Sequence, residues 1–118
     1  MRLAETERRV MQPVWEQEGI TAKELAAKLN ETVGWSKTTT YTVINRCIDK
    51  GYLRREEPGF CVFSCISKTQ ISEWETDALL KNDFDSNPDL LVAALIGRGK
   101  LNAAQMKKLS ALLEETTD

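Results

Sequence analysis

The sequence predicts a mainly α-helical chain with one small β-hairpin. Three observations predict it. Apolar residues recur at helical spacing in six stretches, capping residues separate those stretches, and one Pro-Gly turn lies between two short β-prone runs. A length of 118 residues suits one domain, or one small domain with an appended helical element.

The elements follow in order. Leu3 to Glu18 carries Val10, Met11, Val14 and Trp15 on one stripe, which predicts a helix kinked or weakened at Pro13 and ended by Gly19. Thr21 and Glu24 have capping-box spacing before Leu25, Ala26 and Leu29, a short helix stopping near Asn30, with Gly34 in the turn beyond. Ser36 is the expected N-cap of a third helix reaching about Lys50, with Val43, Ile44, Cys47 and Ile48 inward and Gly51 as its stop. Residues 52–57, the Pro58-Gly59 turn and residues 60–66 then predict the hairpin.

Three further helices are signalled. Ser67 and Gln70 open one of about residues 68–82, with Ile71, Trp74, Ala78 and Leu79 on its stripe. Asn87, Pro88 and Asp89 open the next, with Leu90, Leu91, Ala94 and Leu95, ended by Gly97 and Gly99. Asn102 and Gln105 open the last, striped by Met106, Leu109, Leu112 and Leu113.

Composition narrows the function. The chain has no histidine, which removes Ser-His-Asp and Cys-His pairs and most catalytic zinc chemistry. No paired-carboxylate or phosphate-loop motif replaces them, so no catalytic residue, metal site or cofactor is expected. The acids of the first seven residues do not suit a signal peptide, and the longest apolar run, Leu90 to Ile96, is too short to span a bilayer. A soluble cytoplasmic protein is expected.

Net charge is −2, yet its distribution is uneven. Within residues 36–55, Lys37, Arg46, Lys50, Arg54 and Arg55 face one acid, Asp49. Such a local basic face suits nucleic acid. Three short helices followed by a hairpin form a winged helix-turn-helix, whose third helix offers its outer face to the DNA major groove. That face holds Thr38, Tyr41, Thr42, Asn45 and Arg46, with Thr39 in the first turn and Lys37 beside the DNA backbone. Arg54 and Arg55 leave for the wing, where phosphate contacts are expected. Threonine is a poor helix former, so the run Ser36 to Thr42 has a reason if it faces a groove.

Three helices after a complete wing have little of their own to bury against. Two copies packing about a two-fold axis solve that and suit a palindromic site. Ile71, Trp74, Leu79, Leu91, Leu95, Met106, Leu109, Leu112 and Leu113 are the expected dimer residues. The expected division is a winged-helix domain of residues 1–66 and a three-helix dimerisation domain of residues 67–118.

Over nearly its whole length the chain resembles the BlaI/MecI/CopY family of penicillinase-type repressors. The stretches that carry the likeness are residues 3–11 with Trp15, Ile20 to Leu25, Trp35 to Arg46, Lys50-Gly51-Tyr52-Leu53, Leu91-Val92 and Leu101-Asn102. The resemblance implies a homodimeric repressor on a palindromic double-stranded DNA operator, often of TACA…TGTA type, and an inducing signal. Family base-contacting positions map onto Thr38, Thr39, Tyr41, Thr42 and Arg46. Antibiotic-sensing members answer to an upstream sensor protein that cuts an Asn-Phe bond in the fifth helix; here Ala94-Leu95 stands there. The copper-responsive members carry a Cys-rich tail, and Leu113 to Asp118 holds no cysteine.

Cys61 and Cys65, if both lie on one strand, stand about 13 Å apart, beyond disulfide reach or shared metal ligation. Cys47 falls on an apolar stripe, and packing is the expected role of all three thiols. Two alternatives stay open: a winged helix that binds protein rather than DNA, and a thiol- or metal-responsive regulator acting through Cys61 or Cys65.

Overall fold

The computed structural model describes residues 2–116. The described chain runs α1 (Glu5–Glu16), α2 (Ala22–Val33), α3 (Lys37–Asp49), β1 (Leu53–Glu56), β2 (Cys61–Ser64), α4 (Lys68–Asp83), α5 (Pro88–Gly97) and α6 (Ala103–Thr116). It divides into two compact units after Glu75, within α4.

The first unit holds a continuous apolar core. Val10, Met11 and Val14 of α1 meet Leu25 and Leu29 of α2, Val43, Ile44 and Cys47 of α3, and Leu53 and Val62 of the hairpin. Strands β1 and β2 pair antiparallel, with Leu53 opposite Ser64 and Glu56 opposite Cys61. The segment before α2 runs along β2: Gly19 N–H donates to Val62 O at 2.9 Å, Val62 N–H to Ile20 O at 2.9 Å and Ala22 N–H to Phe60 O at 2.9 Å. The wing is thereby tied to the start of the helix-turn-helix.

Several boundaries differ from the sequence expectation for reasons visible here. Helix α1 ends at the C-cap Gln17, whose N–H donates to Pro13 O, and Pro13 lies buried inside it. Gly19 does not close that helix: its φ of +88° turns the chain toward β2, and a Cβ there would stand 3.1 Å from Phe63 Cζ. Helix α2 runs beyond Asn30 to Val33, because Gly34 takes the left-handed conformation that ends it.

Ile71 is corrected most. Expected on a dimer face, it is 1% exposed and completes the core of the first unit. Trp74 is half-buried against that same core. Helix α4 therefore starts as the last layer of the winged helix. Trp15 reinforces it from α1 by donating its indole N–H to Ile66 O at 2.9 Å.

The start signals of the later helices mostly form as expected. Ser67 and Gln70 satisfy one another's backbone N–H groups, at 2.8 and 3.0 Å, and Asn102 and Gln105 do so at 2.9 and 2.8 Å. Asn87 is the N-cap residue of α5 without a side-chain cap bond, so Pro88 and Asp89 carry that start. The second unit leaves large apolar side chains exposed: Leu79, Leu90, Val92, Leu95, Ile96, Met106, Leu109, Leu112 and Leu113. Leu91 is half-buried.

Candidate nucleic-acid interface

Helix α3 is positioned from both ends. Ser36 Oγ accepts the Thr39 N–H at 3.1 Å, closing the first turn. At the far end Lys50 caps the helix, and Tyr52 N–H donates to Cys47 O at 2.9 Å as the chain turns into β1. The inner face (Thr40, Val43, Ile44 and Cys47) is fully buried. The opposite face is fixed by default, since helical periodicity leaves it nowhere else to point.

That exposed face carries Lys37, Thr38, Thr39, Thr42, Asn45 and Arg46, as the sequence predicts. Thr42 Oγ1 donates to Thr38 O at 2.9 Å, so its proton is engaged while its methyl and lone pairs stay available. The arrangement offers methyl groups and neutral hydrogen-bonding groups toward the helix start and a guanidinium toward its end. Such chemistry reads base edges and phosphate in a major groove.

Tyr41 lies differently. It is half-buried against the core, and its ring meets Phe60 edge-on, with centroids 5.7 Å apart and planes at 89°. Lys37 Nζ lies 5.7 Å from the Tyr41 centroid. Tyr41 thus joins α3 to the wing, a placement its helical position alone does not reveal.

The wing arginines are exposed but occupied. Arg54 pairs with Glu56 and lies 4.4 Å from the Phe63 centroid. Arg55 pairs with Glu57 and lies 3.6 Å from the Phe60 centroid. Glu57 Oε2 also accepts the Phe60 N–H at 3.1 Å. That backbone bond first, and the Arg55 guanidinium second, hold the Glu57 carboxyl below its ordinary value. A signal for these pairs was present: residues two apart on a strand share a face, and Arg-Arg-Glu-Glu places each cation two residues before an acid.

Two buried polar groups also escaped sequence reasoning. Thr40 is 0% exposed, and its hydroxyl has no hydrogen-bond partner among the described residues. Glu7 is 1% exposed and paired with Lys50. All three cysteines are free thiols: Cys47 buried, Cys61 half-buried, Cys65 exposed. No cluster of three or more metal-ligating side chains occurs among the described residues, nor any helix long and apolar enough to cross a membrane.

The fold and the family have known relatives. The solution structure of the DNA-binding domain of the repressor BlaI is similar, at TM-score 0.53 and 28% identity, over 58% of this chain and 92% of that one. The Bacillus licheniformis BlaI monomer in complex with the blaP half-operator matches at TM-score 0.53 and 28% identity, over 58% of this chain and 87% of that one. An uncharacterised 16.5 kDa protein from the ptsI 3′ region of Latilactobacillus sakei is 26% identical over 106 residues, 88% of this chain and 73% of its own. The family described as penicillinase repressor matches residues 3–115. The chain has the winged-helix fold and belongs to the penicillinase repressor family.

Proposed function

We propose that this protein is a sequence-specific DNA-binding transcriptional repressor acting as a homodimer on a palindromic operator, with repression relieved by an inducing signal. The observation that carries the reading is the exposed face of α3: Lys37, Thr38, Thr39, Thr42, Asn45 and Arg46 on a helix capped at one end and buried along the other face. The half-operator complex of the BlaI relative supports it. The homodimer is supported by the exposed leucines of α4 to α6, since many large apolar side chains left in water on a small domain favour association.

The test is fluorescence anisotropy on the DNA upstream of its own gene, beside an unrelated duplex, at several salt concentrations. Tight binding to the upstream duplex, weakened at least tenfold by Arg46→Ala, is the expected result. Equal weak binding to both duplexes overturns autoregulation and leaves two readings, an operator of different sequence or a winged helix that binds protein. Light scattering is expected to give twice the chain mass, and a Leu109→Glu, Leu112→Glu variant is expected to give the monomer.

A further inference from the structure

The two wing arginines are each held between an aromatic face and a carboxylate. Arg54 lies over Phe63 and pairs with Glu56, and Arg55 lies over Phe60 and pairs with Glu57. The hairpin from Leu53 to Ser64 carries these two cations, these two acids and no other charged side chain, so the wing is electrically neutral. Its position is not loose, because Tyr41 of α3 meets Phe60 and the Glu57 carboxylate accepts the Phe60 N–H. A wing that met phosphate through unopposed cations would gain from every duplex alike, since phosphate attraction carries no sequence information.

We propose that Glu56 and Glu57 determine specificity by competing with DNA phosphate for Arg54 and Arg55. This rests on the DNA-binding reading above and names a regulatory feature of the same site. A carboxylate and a phosphate oxygen present similar acceptors to a guanidinium. The aromatic faces keep both guanidinium groups in place whichever acceptor they bind. Exposed ion pairs of this kind are weak, so phosphate displaces the glutamates once α3 has docked in its groove. On a duplex where α3 finds no matching bases, the same exchange gains little, and the complex dissociates.

The experiment compares the wild-type chain with a Glu56→Gln, Glu57→Gln variant on the upstream duplex and on a mixed-sequence duplex, across a salt series. Glutamine keeps an acceptor for the Phe60 N–H while removing the charge. A Glu56→Gln single variant, which touches no backbone bond, guards against a folding defect. The expected result is mixed-sequence binding tightened about fivefold or more, with a steeper salt dependence, of slope greater by about one to two. The upstream duplex gains less, so the ratio between the two duplexes falls. Adding Arg54→Gln and Arg55→Gln is expected to erase the gain. Wild-type binding with no gain in the variant overturns the proposal while leaving the repressor reading intact. A gain that survives loss of both arginines also overturns it, as a general charge effect. Absence of binding to any duplex by every variant overturns both.

Discussion

Lys50 Nζ, at the C-terminal cap of α3, lies 2.7 Å from Oε2 of Glu7, a carboxylate 1% exposed on α1. That oxygen has no other partner among the described residues, while Oε1 accepts the Ala4 N–H at 2.8 Å. Burial by itself raises the Glu7 carboxyl, but the Lys50 hydrogen bond, the Ala4 N–H and the charges of Lys50 and Arg46 outweigh it and leave it below its ordinary 4.5. A depressed carboxyl contributes stability above its unfolded value and loses it as pH falls through the folded one. Urea unfolding at about pH 7 and about pH 3 is expected to show that loss. Lys50→Met removes the compensation and leaves the carboxylate buried, so the variant is expected to be less stable than the wild type near pH 7. Without Lys50 the burial that raises the carboxyl is less opposed, so the loss of stability between about pH 7 and about pH 3 is expected to be smaller in that variant than in the wild type. A loss as large as the wild type's would mean that the pair does not hold the carboxyl down.

Thr40 buries a hydroxyl with no partner among the described residues. Thr40→Val keeps the shape and removes the orphaned group, so it is expected to stabilise the fold by about 1 kcal/mol. Thermal unfolding then rises by a few degrees. A fall instead would show that the hydroxyl has a buried water for a partner.

Tyr41 separates contact from support. Tyr41→Phe keeps the edge contact with Phe60 and is expected to change stability by less than about 0.5 kcal/mol, with DNA binding preserved. Tyr41→Ala removes a ring packed on the core and is expected to cost about 2 kcal/mol. Anisotropy and melting, measured together, check it. If Tyr41→Phe loses tenfold in DNA binding at unchanged stability, the hydroxyl touches the DNA.

The thiols differ by environment. Burial, and then the nearby Glu7 charge, push Cys47 up to about 12, so its thiolate is absent at neutral pH. A disulfide reagent at about pH 8 is expected to modify exposed Cys65 first and half-buried Cys61 more slowly. Cys47 is expected to react after denaturation. Fast reaction of all three in the folded chain would contradict this core.

The sequence by itself determined the order of elements and the outer face of α3. Capping pairs such as Ser67 with Gln70, and the stripe Val43, Ile44 and Cys47, act between residues three or four apart, so local spacing carries that information. Lys37, Thr38, Thr39, Thr42, Asn45 and Arg46 face outward for the same reason. The tertiary structure alone decided that Ile71 completes the first unit and that Tyr41 belongs to the helix–wing junction. It also decided that Glu7 is buried beneath Lys50. These depend on side chains brought together from distant parts of the chain, where burial is set by which surfaces meet and not by the period of either one.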